Sequence, residues 1–159
     1  MRTPDLPQNL EDAAAIAIGR TVLVFSNIEF NLGLWLRNAV SSADAEAANP
    51  LVDRLPFKAK LDALQDVARH KHAHHPEALT ELAAWVREMD RFRVIRNAFM
   101  HGRWGVLHAS GQVVNVATGL PGHDPQRETR YSISELEDAH VQARSLSESF
   151  CSWIKRWPV

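Results

Sequence analysis

The sequence predicts a mainly α-helical fold with a small β-hairpin or sheet inserted before the last helix. Four stretches place apolar residues at helical spacing, and they begin near Asn9, Phe57, Pro76 and Ser134. After Gly102 the spacing changes to the shorter alternation that is typical of strands. The chain has 159 residues, 45% of them hydrophobic, which is enough for one domain with its own core. We therefore expect residues 1–159 to form a single domain with a β insertion at about 103–132.

The first helix is predicted from about Asn9 to Val40, with Asn9 or Asp12 as its N-terminal cap. No proline interrupts its apolar pattern, and the pattern is too long for a strand. Apolar residues cover nearly the whole circumference, so we expect burial on more than one side, partly by a second subunit. The next ten residues, 41–50, are small and acidic and are interpreted as a loop.

The second helix is predicted at about Phe57–His74. The third is predicted to begin at Pro76 and to end just before Gly102, because glycine is a common C-terminal stop. The apolar stripe of the second helix consists of Phe57, Leu61, Leu64 and Ala68. That of the third consists of Leu79, Leu82, Trp85, Val86, Met89, Phe92 and Phe99.

Short strands and one more helix complete the predicted fold. Strands at Trp104–His108 and Gln112–Ala117 flank a Ser-Gly turn, residues 120–126 are interpreted as loop, and Thr129–Ile133 adds a third strand. Ser134 and Glu137 have the spacing of a capping box, from which the final helix runs to about Trp157.

Charge and cysteine content restrict the class of function. A net charge of −1 argues against a protein that coats nucleic acid or a membrane through bulk charge. A single cysteine, Cys151, excludes an internal disulfide framework and a cysteine-based zinc site. The start of the chain lacks an apolar signal region, and Arg20 and Glu29 interrupt the most apolar stretch, Ala13–Leu36. We expect a cytoplasmic protein with no membrane span and no cofactor.

Residues 87–103 concentrate positive charge, with five arginines against two acids. Arg96 lies on the apolar stripe of the third helix, where a guanidinium requires a carboxylate or phosphate partner. At about 100° per residue, Arg96, Asn97 and His101 share one side of the helix end. Histidine can move protons near neutral pH, arginine can stabilise phosphate charge, and asparagine can orient a group without adding charge. These three residues are the candidate catalytic set.

The segment Arg96-Asn97-Ala-Phe-Met-His101-Gly102 resembles the signature of the HEPN superfamily (higher eukaryote and prokaryote nucleotide-binding domains). The resemblance covers the long first helix, the motif helix and the last helix, and it implies an up-and-down helical bundle. It also implies a metal-independent endoribonuclease that dimerises so that two Arg–His pairs share one composite cleft. Relatives of this kind are toxins, phage-defence components or RNA-processing enzymes, so RNA and a cognate antitoxin or defence partner are the expected partners.

Spacing alone does not select this motif, because Arg69/His74 and Arg103/His108 have the same separation. The first of these pairs falls at a polar helix end and the second on the predicted hairpin. Only Arg96/His101 combines a long amphipathic helix, Asn after Arg, and Gly after His. A helix C-terminal histidine favoured by the helix dipole is the structural alternative for His101.

Other residues carry weaker hypotheses. Glu29 lies in the middle of a helix that is otherwise almost wholly apolar, and it is expected to pair with Arg96 and orient it rather than to act in catalysis. Arg93, Arg103 and Trp104 are candidate RNA contacts, although a solvated helix face explains Arg93, and core packing explains Trp104.

Three functions therefore remain open from the sequence. The first is a HEPN-type homodimeric endoribonuclease, and the second is a non-catalytic module that binds RNA, a nucleotide or a protein. The third is a metal-dependent hydrolase built on the cluster His70, His72, His74 and His75, in which His70 and His74 have an i,i+4 spacing that suits a divalent ion. We place no metal in the predicted site, because no cysteine or carboxylate cluster completes that set. A polar, cationic helix end or an auxiliary RNA-contacting edge is the preferred interpretation of these histidines.

Overall fold

A computed structural model describes residues 9–41, 43–117 and 126–159 of the chain. The described residues are mainly helical, with five α-helices and a three-stranded antiparallel sheet. The helices are α1 Leu10–Val40, α2 Asn49–Val52, α3 Phe57–Lys71, α4 Pro76–His101 and α5 Ile133–Arg156. The strands are β1 Arg103–Leu107, β2 Gln112–Val116 and β3 Glu128–Tyr131, in the order β1-β2-β3. Most of the loop predicted at 120–126 lies outside the described residues.

The predicted long helices and all three strands are confirmed, with end points shifted by a few residues. The structure selects Asn9 as the cap of α1, since its Oδ1 accepts the backbone N–H of Asp12 at 2.8 Å. The predicted capping box at Ser134 is wrong. Ser132 caps α5 instead, and Glu135 returns the hydrogen bond by accepting the backbone N–H of Ser132 at 2.7 Å.

The loop predicted at 41–50 is confirmed only in its first half, over the described residues 41 and 43–45. A single 3-10 turn, Glu46–Ala48, leads directly into α2, whose first turn contains Pro50. Proline is well tolerated there because the first helical N–H groups have no partner within the helix. The helix predicted to reach His74 ends at Lys71, and His72 is its C-terminal cap.

The described residues group into two compact units, one with residues 9–24, 93–117 and 126–143, the other with 25–41, 43–92 and 144–159. The single-domain assignment and the up-and-down helix order stay predictions.

The second unit is held together by aromatic side chains that also satisfy backbone groups. Trp85 stacks on Phe150 with ring centroids 4.4 Å apart, and its Nε1 donates to the carbonyl oxygen of Leu146 at 2.8 Å. Trp153 donates in the same way to the carbonyl of Ala78 at 2.9 Å. The predicted stripe of α3 is fully buried, as are most of the predicted inward residues of α4. Burial of this kind, at about 1.5–3 kcal/mol per large apolar side chain, is the main stabilising contribution.

Helix α1 buries one stripe of apolar residues and exposes others. Leu23 and Phe30 are 68% and 65% exposed within the chain, so the expectation of burial on more than one side is not met by this chain alone. Of the described helices, α1 is also the one whose length and composition would allow a membrane crossing, with 28% of its most apolar window buried. This is weak evidence, because core helices and signal sequences pass the same test. Cytoplasmic localisation therefore stays a prediction.

Candidate functional site

The Arg96-Asn97…His101 motif occupies the last turns of α4. Arg96 and Asn97 are half-buried, and Arg96 Nη1 donates to Asn97 Oδ1 at 3.1 Å. His101 is the last residue of the helix and is exposed. The hydrogen bond fixes the amide of Asn97, so that its NH2 group is the side available to other acceptors.

The end of α4 is fixed by a close contact with β2. The carbonyl oxygen of Ala98 accepts both the backbone N–H of Gly102 at 2.9 Å and the side-chain Nδ2 of Asn115 at 3.0 Å. A Cβ on Gly102 would overlap the amide of Asn115 and lie 2.6 Å from Ala98 O. The predicted helix end before Gly102 is therefore confirmed, and close packing explains why this position has no room for a side chain. Among the described glycines, only Gly111 in the hairpin turn has a positive φ, of 64°.

One face of the sheet lies against this helix end. Asn115 is paired with Thr129, and Val113 with Tyr131. Since side chains alternate along a strand, Arg127, Thr129 and Tyr131 share one face, and residues paired directly across the strands share it as well.

A small aromatic cluster holds that face in place. The rings of Phe99, Trp104 and Tyr131 lie with centroids 5.5 to 5.8 Å apart. Trp104 Nε1 donates to the carbonyl oxygen of Phe99 at 3.2 Å. Trp104 is half-buried in these contacts, an arrangement that favours core packing over base stacking as its role.

A cavity of about 480 Å³ opens between the end of α4 and this sheet face. Its polar lining comes from Asn97 and His101 on the helix and, on the sheet side, from Asn115, Arg127, Thr129 and Tyr131. Val94, Ile95, Ala98 and Ala117 supply its apolar wall. The described residues that line it include an arginine and a histidine but no carboxylate, a lining that suits an anionic ligand.

Tyr131, which lines this cavity, carries a neutral hydroxyl. Burial raises the pKa of Tyr131, which the adjacent Arg127 partly opposes and Glu135 reinforces. Because its ordinary pKa is already near 10, the phenol is protonated at neutral pH and can donate a hydrogen bond.

The other predicted residues are distributed around the motif. Arg93 is half-buried on α4, and the exposed Arg103 donates to the side chain of Gln126. Arg96 is linked to the cavity through its hydrogen bond to Asn97.

Glu29 has a partner that the sequence did not predict. Its Oε1 lies 3.3 Å from Nζ of Lys60, a lysine that is 8% exposed on α3. The pair lines a second cavity, of about 420 Å³, in the unit that contains α2 and α3. The expected pair between Glu29 and Arg96 stays a prediction.

The histidine cluster is not the uniformly polar helix end that the sequence suggested. His72 is 5% exposed, and its ring meets the edge of Trp153 with centroids 5.5 Å apart. Burial, and to a lesser extent His75, lower the pKa of His72. Among the residues that the structure describes, no group of three or more His, Cys, Asp or Glu is placed to hold a metal ion.

Sequence reasoning missed Arg127 and Tyr131, the two residues that complete the cavity. The spacing of Arg127, Thr129 and Tyr131 at every second position indicates that they share one face of a strand. Nothing in the local sequence indicates that this face meets the end of α4. The comparisons with known proteins add no assignment: no family model, no curated protein and no solved structure matches the chain. The class that fold and site define is thus a mainly α-helical protein with an anion-compatible cavity at its Arg-Asn-His motif.

Proposed function

We propose that this protein is a metal-independent endoribonuclease of the HEPN type that acts as a homodimer. The observation that carries the proposal is the position of Asn97 and His101 on one cavity whose described lining residues include no carboxylate, with Arg96 hydrogen-bonded to Asn97. A site of this charge suits the phosphodiester of RNA, and the resemblance of the motif supplies the reaction class.

The chemistry requires proton transfer at the ribose. The 2′-hydroxyl loses a proton and its oxygen attacks the adjacent phosphorus, the bond from phosphorus to the 5′-oxygen breaks, and that oxygen gains a proton. The products are a 2′,3′-cyclic phosphate and a 5′-hydroxyl. In the proposal His101 is the proton-transfer residue, Arg96 stabilises charge on the phosphate, and Asn97 fixes the orientation of Arg96.

Homodimerisation is part of the proposal because a composite site needs two copies of the motif. Leu23 and Phe30 support it, since they are seven residues apart on α1, lie on one side of that helix and are largely exposed. A toxin or phage-defence role, with a cognate antitoxin or other partner, follows from the resemblance and belongs to the same proposal.

The test is incubation of the purified protein with single-stranded RNA in EDTA. We expect cleavage by the native protein and a loss of about 100-fold or more in His101→Ala. His108→Ala is the matched control, because His108 is also exposed and also follows an arginine by five positions, yet lies in the hairpin turn. It should cleave like the native protein. Cleavage that survives in His101→Ala, or that requires added metal, would refute the mechanism.

A non-catalytic binding module is the alternative outcome of the same experiment. In that case neither the native protein nor His101→Ala cleaves RNA, while both bind it. Loss of thermal stability in His101→Ala together with absent cleavage would assign the motif a structural role.

A further inference from the structure

Strand β3 brings a second set of polar groups to the motif cavity. Arg127 comes directly before the strand, Thr129 lies within it, and Tyr131 ends it, so all three lie on the face that borders the cavity. The intervening Glu128 and Arg130 lie on the opposite face, where they form an ion pair with 2.9 Å between nitrogen and oxygen. Arg127 can therefore contact a ligand in the cavity, whereas Arg130 lies on the outer face.

The composition of the cavity defines the chemistry of its ligand. Arg127 and His101 favour an anion, Asn97 and Tyr131 offer neutral hydrogen bonds, and the aliphatic wall offers an apolar surface. The cavity volume of about 480 Å³ falls in the range of about 300–1,000 Å³ that is usual for small-molecule sites. A nucleotide combines these properties, since it carries one negative phosphate, a polar sugar and a flat base with apolar faces.

We propose that this cavity binds one unpaired nucleotide of a single-stranded RNA, with Arg127 on its phosphate and the Tyr131 hydroxyl donating to its sugar or base. The proposal rests on the endoribonuclease assignment and adds the substrate's strand state and two specificity residues. An unpaired nucleotide is required because a concave cavity at a helix end admits a base that is splayed out, whereas a base in an A-form duplex is stacked and paired.

Rigid placement of the tyrosine supports this role. Contacts with Phe99 and Trp104 restrict the ring of Tyr131, and its strand pairs with Val113 in β2. A donor held in this way loses little side-chain entropy when a ligand binds. Because Arg127 is exposed and the aliphatic residues supply an apolar wall, we assign the phosphate to Arg127 and the base to that wall.

The experiment measures binding without cleavage. The probe is a fluorescein-labelled hexauridylate that is 2′-O-methylated, so that no 2′-hydroxyl is present to react. Fluorescence anisotropy gives the dissociation constant at several salt concentrations. The variants are Arg127→Ala, Arg130→Ala and Tyr131→Phe, each compared with the native protein and checked by circular dichroism melting.

We expect Arg127→Ala to bind about tenfold more weakly, because it loses a charge-assisted hydrogen bond. Its slope of log affinity against log salt should fall by about 0.7, the value for one phosphate contact to a single strand. Arg130→Ala removes the same charge from the outer face and should change binding by less than about twofold. Tyr131→Phe should weaken binding by about threefold, as expected for one neutral hydrogen bond.

Several outcomes would overturn the inference. These are equal losses in Arg127→Ala and Arg130→Ala, no loss in Tyr131→Phe, binding of a matched RNA duplex as tight as that of the single strand, or no binding by the native protein. A failure of the proposed endoribonuclease appears differently, as absent cleavage of unmodified RNA with Arg127-dependent binding retained.

Discussion

The contact between Gly102 and Asn115 permits a quantitative test of how the end of α4 is held. Asn115 is 3% exposed and its amide donates to Ala98 O at 3.0 Å. Truncation in Asn115→Ala removes this hydrogen bond, but Ala98 O keeps the Gly102 N–H at 2.9 Å and is not left without a donor. We therefore expect a loss of about 1–2 kcal/mol in the free energy of unfolding, near the value for one buried hydrogen bond plus the lost packing.

The substitution Gly102→Ala acts on the same contact from the other side. The added Cβ would overlap the Asn115 amide and lie 2.6 Å from Ala98 O, closer than carbon and oxygen normally approach. Overpacking of this kind costs about 1–3 kcal/mol. In the double variant Asn115→Ala/Gly102→Ala, the Asn115 amide is absent, so the new Cβ at position 102 overlaps only with Ala98 O. The double variant should therefore lose about 1 kcal/mol less than the sum of the single losses.

Urea unfolding followed by far-ultraviolet circular dichroism measures these three free energies. Replacing a glycine by alanine stabilises a protein when the glycine has a negative φ and the space around it is open. A stabilised Gly102→Ala variant, or single losses that add within about 0.3 kcal/mol, would refute the reasoning from close packing. Under the proposed function, RNA cleavage should fall in Gly102→Ala as well, because any shift of the α4 end moves the adjacent His101.

Three further predictions concern charges elsewhere in the molecule. The pKa of His72 is lowered in the folded protein, so as the pH drops below the ordinary value of 6.5 the unfolded chain takes up a proton first. The free energy of unfolding should therefore fall as the pH drops from 6.5 through the folded pKa, and thermal melts at a series of pH values should show that His72→Phe removes this dependence. Two hydrogen bonds from Ser132 lower the pKa of Glu135 below 4.5 in the folded protein. The contribution of Glu135 to stability is therefore present above pH 4.5 and is lost as the pH falls through the folded-state pKa. In the same thermal melts, Glu135→Gln should reduce the dependence of stability on pH in this acidic range. Lys60→Met should lower the free energy of urea unfolding by about 1–2 kcal/mol, because Lys60 is buried beside Glu29. The matched control Lys58→Met, at an exposed ion pair, should lower it by less than about 0.5 kcal/mol, and equal losses would contradict the argument from burial.

Local sequence patterns were sufficient where the governing interaction is itself local. The apolar periodicity of α3 and α4 located their buried faces, and the Ser-Gly turn located the hairpin. Two overlapping Ser-x-x-Glu signals stand before α5, and the pattern alone selected the wrong one. Ser132 caps the helix because the chain leaves β3 at Tyr131, which puts the first helical turn immediately afterwards.

Histidine at position 72 shows where local reasoning ends. Most of its neighbours in sequence are polar or charged, so the sequence indicated a solvated helix end. Its environment is instead set by Trp153, which lies 81 positions away and brings an apolar surface to it. Lys60 was missed for the same reason, since its partner Glu29 belongs to another helix.

The sequence by itself determined the four long helices, the strands and the Arg96, Asn97 and His101 motif. At about 100° per residue these three side chains fall within an arc of about 140° on the helix. Only the tertiary structure decided what faces that motif. The pairing of β3 with β2, and the contact of Asn115 with the end of α4, bring Arg127 and Tyr131 to the same cavity. Strand pairing and side-chain packing join residues that are distant along the chain, and no local pattern encodes which face will meet which helix end.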